Sequence, residues 1–329
     1  MRGSSVIRSV AALGPAEGLA RALARVAPRR RDVLAVLTFH RVAPAAGAVP
    51  GLLSATPERF GRLLDALGRA FRFVSLEEVL ERQAGGPGLP PRSLLLTFDD
   101  AYRDTAEEAW PVLVERGLPA ALFVPTAFPG SPEATFWWER AWAAFAASDR
   151  AEVSIDGRTW PLRDAAERAA GYRAARTWLK SIPHATLDAA VADLEAALGF
   201  PPRPRPEPSG RCLDWDGLRA LRAAGLALGS HTRTHPLLTR VDDRALADEI
   251  GGGVDDLARE TGSRLAAFAY PSGAVRDAAV AAVRDAGVRV AFTTERGVND
   301  LREDRWLRLR RVNVGLATPP SLILAQAIR

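Results

Sequence analysis

From residue 32 onward, short apolar runs alternate with longer stretches in which apolar positions recur every three or four residues, the pattern of parallel α/β folds. Residues 33–39, 93–98 and 120–124 read as buried strands, and 226–230, 265–270 and 288–293 as later ones. A helix is predicted over residues 57–70, with Thr56 as N-cap, Pro57 at the first helical position, and Phe60, Leu63, Leu64 and Leu67 on one face. Ser75 and Glu78 have the spacing of a capping box for a further short helix. Helices are also expected at about 244–261 and 276–286. Residues 129–211 break this rhythm with an aromatic cluster (Phe136, Trp137, Trp138, Trp142), an Asp156-Gly157 hairpin signal, two helical stretches and a proline-rich end. Because the alternation resumes afterwards, this region reads as an insertion within one domain. Six or seven strand–helix units favour a barrel over an open sheet. The division expected is a basic amphipathic segment over 1–31, a single barrel domain over 32–315, and a C-terminal helix over 316–329.

Composition narrows the class. The chain has 329 residues, 47% of them apolar, which is enough to bury a large core and excludes disorder as a description of the whole. Cys212 is the sole cysteine, so no disulfide framework can form within the chain. Of the 44 basic residues only Lys180 is a lysine, and the net charge of +5 is spread among interleaved acids. There are no dense basic blocks of the kind nucleic-acid grooves show, so no nucleic-acid partner is expected. Residues 6–26 are interrupted by Arg8, Pro15, Glu17, Arg21 and Arg25, too many breaks for a membrane span, and their apolar run is too short for a signal peptide. What remains is an amphipathic helix over 16–26 followed by Arg29, Arg30 and Arg31, which suits a packed terminal helix or peripheral docking on a membrane. A cytoplasmic protein with at most peripheral membrane contact is the expectation; the oligomeric state is left open.

The strand over 93–98 runs into Asp99 and Asp100, two carboxylates at the end where α/β barrels place their active sites. There one can hold a metal while the other moves protons, although Asp at a strand end also serves as a turn or cap residue. A later strand runs into His231, with His235 four residues on, a spacing that lets both imidazoles reach one cation. The chain has only four histidines. The pair lacks the Glu of a H-E-x-x-H protease, so the third ligand and the base must come from elsewhere, and the aspartate pair offers both.

Together these segments resemble the polysaccharide deacetylase family, the NodB-homology carbohydrate esterases. Thr97-Phe98-Asp99-Asp100 is similar to its first motif and Ser230-His231-Thr232-Arg233-Thr234-His235 to its second. The likeness extends from Thr38-Phe39-His40-Arg41-Val42 through Trp215 to Phe268-Ala269-Tyr270-Pro271-Ser272-Gly273 and Thr293-Thr294. The resemblance implies a distorted (β/α)7 barrel, with Asp100, His231 and His235 as metal ligands and Asp99 as catalytic base. It also implies an oxyanion site near Tyr270 and Ser272. One Asp and two His suit a divalent metal, zinc best, with cobalt or nickel able to occupy such a site. The implied reaction is hydrolysis of N-acetyl groups on the acetylamino sugars of a glycan in exopolysaccharide or cell-envelope synthesis. The alternatives are an O-acetyl esterase using the same site and a non-catalytic glycan-binding scaffold.

Three departures bear on these readings. Ala101 stands where the family usually has Gly, Ala269 where its third motif commonly carries an Arg beside the base, and no His follows His235 to supply the family's usual late acid. Trp306 gives only a loose match to that late region. His40, at the end of the first strand as in the Phe-His start of the poly-N-acetylglucosamine deacetylases, is the candidate acid; His184, before a helix of the insertion, has no expected role.

Overall fold

The computed structural model describes residues 31–45, 49–131, 134–200, 211–262, 266–319 and 322–323. Its centre is the strand pair expected from the apolar runs. β1 (Val33–Phe39) lies parallel to β5 (Ser93–Phe98), in register from Leu34 opposite Ser93 to Phe39 opposite Phe98. Beyond β5 the sheet continues in parallel through β6 (Ala121–Val124), β9 (Ala227–Ser230), β10 (Ala267–Ala269) and β11 (Val290–Phe292). On the other side of β1 lie β12 (Asn299–Asp300), antiparallel, and β13 (Val312–Asn313), parallel, while β4 (Arg72–Phe73) pairs with the start of β5. β2 (Arg41–Val42) and β3 (Leu53–Ala55) form a small separate pair.

The two ends of this curled sheet are bridged by the chain between them. Leu309 donates its N–H to the Ala291 carbonyl and accepts from the Thr293 N–H, both at 2.8 Å, and five residues later Val314 N–H donates to the Thr38 carbonyl at 2.9 Å. Residues 309–314 thus act as an irregular last stave, satisfying backbone groups that an open edge would leave unpaired. The architecture is the expected distorted barrel.

Alternate residues along the strands enter different cores, the period of two that a strand imposes. Ala35, Leu37, Phe39, Leu94, Leu96 and Phe98 pack with Phe60, Leu63, Leu64 and Leu67 of α1 (Pro57–Gly68). Leu34, Val36, Leu95, Phe123 and Phe292 gather on the opposite face, with Leu76, Val79 and Leu80 of α2 (Leu76–Gln83) packed among them. Thr56 caps α1, and Ser75 and Glu78 form the reciprocal capping box of α2, as the spacing predicts. Around the barrel follow α3 (Trp110–Glu115) and, after the insertion, α7 (Trp215–Ala223), α8 (Asp243–Ala247), α9 (Gly253–Thr261) and α10 (Asp277–Asp285). The helix expected over 244–261 is present as one continuous run in which α8 and α9 are joined through a π-helical turn over Asp248–Gly252.

The insertion is a satellite with its own core. α4 (Trp137–Ala147), the hairpin of β7 (Glu152–Ile155) and β8 (Arg158–Pro161), α5 (Ala165–Leu179) and α6 (His184–Ala197) bury Phe136, Phe145, Tyr172, Val191 and Leu194 together. Asp156 and Gly157 turn the hairpin with φ of 50° and 69°, the left-handed pair that an Asp-Gly turn favours. Arg140 clasps Glu195 through two hydrogen bonds of 2.9 and 2.7 Å inside this core. The amphipathic N-terminal helix lies outside the described residues; of the expected C-terminal one, residues 316–319 are turn and coil, 322 and 323 are helical with Ile323 buried, and the rest lies outside the described residues.

Candidate active site

The candidate residues meet at the C-terminal ends of the parallel strands. At the end of β5 the Asp99 N–H donates to the Phe39 carbonyl at 2.9 Å, and the backbone then turns left-handed, with φ of 74° at Asp100 and 52° at Ala101. Ala101 therefore does occupy a conformation suited to Gly. Its methyl group is completely buried in the core around α1, and that burial, roughly 0.8 kcal/mol, offsets the left-handed cost of about 1 kcal/mol.

At the end of β9, His231 Nδ1–H donates to the Ala269 carbonyl at 2.7 Å, which turns Nε2 toward Asp100. His231 Nε2 and His235 Nε2 lie 3.5 and 3.2 Å from the same oxygen, Asp100 Oδ1, and all three side chains are buried. That oxygen has no well-directed hydrogen bond. Two imidazole lone pairs converging on a carboxylate oxygen repel one another unless a cation lies between them, so the donor set fits a divalent metal. Burial alone would raise the Asp100 carboxyl, but His235 and His231 hold it well below the usual carboxylate range. Burial keeps His235 below its ordinary value, toward the neutral form that a metal ligand requires, whereas Asp99 and Asp100 overcome burial at His231 and raise it.

The loop carrying the histidines is strained and tied down. Thr232 and His235 both have positive φ (69° and 59°), and for a β-branched residue that is a true outlier. Glu249 in the π-helical turn accepts from the Arg233 and Thr234 N–H groups at 3.1 and 2.9 Å and from Thr234 Oγ1 at 2.5 Å. Thr232 Oγ1 accepts from the His235 N–H. The backbone passes so close to Gly253 that a Cβ there would lie 2.9 Å from the Thr232 carbonyl carbon.

Asp99 has a different partner. Arg311, on the irregular stave, donates to Asp99 Oδ1 and Oδ2 at 2.8 and 2.7 Å, and its Nε donates to the Thr293 carbonyl at 2.9 Å. Burial by itself would raise the Asp99 carboxyl; the guanidinium outweighs it and holds Asp99 ionised, below the usual range. The Arg missing at Ala269 is thus supplied from elsewhere in the sequence, and Ala269 contributes its carbonyl to His231 instead. Nothing in the pattern of the chain singled out Arg311 among so many arginines, with Arg310 directly beside it.

His40 follows β1, its backbone N–H donating to Ser54 Oγ at 2.9 Å, and its ring lines a cavity of about 240 Å³ with Asp99, Asp100, His231, His235 and Ser272. The insertion builds the facing wall, which the sequence did not indicate. Trp137 and Trp138 line the cavity, and Trp138 stacks on Phe136 (4.3 Å) and meets the His235 ring edge to face at 4.7 Å. Behind them Tyr102 accepts from Trp138 Nε1 and donates to Glu139, whose carboxyl is pushed up to about 7 by burial.

Two expected residues fall elsewhere. Tyr270 is buried against Phe268 and donates its hydroxyl to the Leu307 carbonyl at 3.0 Å, so its side chain is part of the core and does not line the cavity. His184 begins α6 with Nε2 3.4 Å from Thr234 Oγ1, behind the histidine loop. Ser272 does line the cavity; next to it Gly273 has φ of 68°, and a Cβ there would sit 1.9 Å from Thr294 Oγ1, so only Gly fits. A larger surface cleft of about 710 Å³ beside Trp306 and α10 has none of these groups in its walls.

A carboxylate held ionised beside a buried Asp-His-His set, at the open end of a barrel, is equipment for metal-assisted hydrolysis. The sequence model of the polysaccharide deacetylases matches residues 87–291, and the chain belongs to the polysaccharide deacetylase family, hydrolases of N-acetyl amides. Solved structures agree on the fold. The Streptococcus pyogenes deacetylase PplD in complex with acetate has 17% identity, covering 91% of this chain and 99% of that one, with a TM-score of 0.59. IcaB from Ammonifex degensii has 22% identity over 91% and 98%, with a TM-score of 0.58. The BpsB deacetylase domain from Bordetella bronchiseptica has 17% identity over 88% and 98%, with a TM-score of 0.53. No curated protein matches the sequence.

Proposed function

We propose that the protein removes N-acetyl groups from the acetylamino sugars of a glycan or glycan intermediate in exopolysaccharide or cell-envelope synthesis, using a divalent cation held by Asp100, His231 and His235. The observation that carries this reading is the adjacent pairing of that donor set with Asp99, a carboxylate kept ionised by Arg311. Zinc suits two imidazoles and one carboxylate best. When bound, the metal supplies Lewis acidity toward the acetyl carbonyl and lowers the pKa of water.

The chain does the rest. Asp99 takes a proton from the attacking water as its oxygen bonds to the acetyl carbon. The backbone at Ser272 faces the developing oxyanion, and His40 gives a proton to the amine nitrogen as the C–N bond breaks, leaving acetate and a free amino sugar. Trp137, half-buried in the cavity wall, offers an apolar face to the sugar ring. The features that favour a scaffold are each answered: Arg311 stands in for the Arg absent at Ala269, the Ala101 methyl packs, and His40 lies in the cavity.

Acetate release from matched N-acetyl and O-acetyl sugars tests the proposal. The His40→Ala variant should keep metal and fold while amide turnover falls by ~10²-fold or more, the scale of a lost general acid. Turnover of the ester should fall less, because an alcohol leaves with less help. Wild-type activity in that variant returns His40 to a structural role, and release from esters alone makes the protein an esterase. Metal analysis supplies the second arm: one divalent ion per chain is expected, lost in His231→Ala and in His235→Ala, and full occupancy in either removes the ligand assignment.

A further inference from the structure

The cavity has a second set of charges that hydrolysis does not use. Arg176, in the last turn of α5, and Lys180, which caps that helix, both line its wall. They stand four residues apart, on one helical face. Lys180 Nζ donates to Ser272 Oγ at 3.1 Å, joining the insertion to the third-motif loop across the cavity. Arg176 donates weakly to the Pro50 carbonyl at 3.5 Å, and its guanidinium lies 5.8 Å from the Tyr172 ring.

Among the described residues neither cation has a carboxylate within 4 Å, whereas the buried arginines are paired: Arg41 with Asp104, Arg140 with Glu195 and Arg311 with Asp99. Two like charges at this spacing destabilise a helix. Their place at its C-terminal end offsets part of that cost, which accounts for their tolerance on α5. It does not account for their position over the site, where Lys180 is half-buried and where burial and Arg176, opposed in part by Asp100, lower its ammonium from the ordinary lysine value. The two acids of the cavity are already committed, Asp99 to Arg311 and Asp100 to the imidazoles. Lys180 and Arg176 therefore add two cations to the cavity wall with no carboxylate of their own to pair with.

We infer that Lys180 and Arg176 are a specificity element that binds an anionic group of the glycan, a carboxylate or a phosphate, on the sugar entering the cavity or on its immediate neighbour. The guanidinium matches the paired oxygens of either anion, and the ammonium adds a mobile point charge. This deepens the proposed deacetylation by assigning an acidic substrate class to the same site. A uronic acid in the glycan and a sugar diphosphate both supply that chemistry.

Three probes distinguish these sources: a neutral N-acetylglucosamine tetramer, a tetrasaccharide alternating glucuronate with N-acetylglucosamine, and UDP-N-acetylglucosamine. Binding to the metal-loaded protein is measured by calorimetry and turnover by acetate release. At least one anionic probe should bind about 10-fold more tightly than the neutral one, the scale of hydrogen bonds to charged groups, and added salt should shrink that ratio. In the doubly substituted K180Q/R176Q variant, with its unfolding midpoint checked, the ratio should fall to within about 2-fold, while K180R should retain most of it. Equal binding of all three probes by the wild type, or a ratio that survives in the double variant, overturns the inference. Charge-dependent binding without acetate release from any probe instead sinks the deacetylase reading and leaves this one standing.

Discussion

Replacing Asp99 by Asn should lower acetate release by ~10³-fold while the protein keeps its divalent cation. Asparagine fills the same space and accepts a hydrogen bond from Arg311 but cannot take a proton from water. Asp99 binds Arg311, whereas the imidazoles of His231 and His235 face Asp100, so the donor set is untouched. Acetate assays beside metal analysis separate the two roles. A variant that keeps its turnover would move the base elsewhere, and one that loses its metal would make Asp99 a ligand.

The largest effect on stability is expected for Arg311→Met. Arg311 and Asp99 are both almost wholly buried. Removing the cation leaves a carboxylate stranded in the barrel, a change that costs about 3–5 kcal/mol when one partner of a buried pair is lost. Two further signs follow from the direction of the Asp99 shift. In the wild type the folded carboxyl lies below its unfolded value, so the pair's contribution is fully present above about pH 4 and is lost as pH falls through the folded value. In the variant the guanidinium no longer opposes burial, the Asp99 carboxyl rises, and the acidic limb of the rate profile should move to higher pH. Thermal unfolding and a pH–rate profile check both, and an unchanged midpoint with an unchanged profile would mean that Arg311 neither stabilises the barrel nor keeps Asp99 ionised.

Much of the barrel was legible because its strands are buried on both faces and so form unbroken apolar runs, as in residues 33–39 and 93–98. The caps at Thr56 and Ser75 were legible because capping is a local hydrogen bond that spacing alone reveals. The Asp99-Asp100 and His231-His235 segments stood out because each is contiguous and follows a strand. What the sequence hid depends on contacts between distant segments. Arg311 reaches Asp99 only through the closing stave, and Trp137 and Trp138 reach the site only because the insertion folds back over the barrel. The Tyr270 side chain was hidden for a related reason: its place beside Ser272 in the chain says nothing of which way it points, and it enters the core. The helix expected over 244–261 runs unbroken but widens into a π-turn where Glu249 reaches the backbone of Arg233 and Thr234.

The closing stave also bears on when the enzyme becomes competent. Asp99 and Arg311 are 212 residues apart, so their pairing closes one of the longest loops in the chain, and contacts of such separation form late because their loop entropy is recovered only after nearer segments have docked. A chain with β1 through β11 in place but the stave undocked would hold its metal ligands in position while Asp99 lacks its guanidinium partner. On refolding, metal uptake should therefore precede the return of acetate release by a resolvable lag, and simultaneous recovery of both would mean that barrel closure is not the arming step.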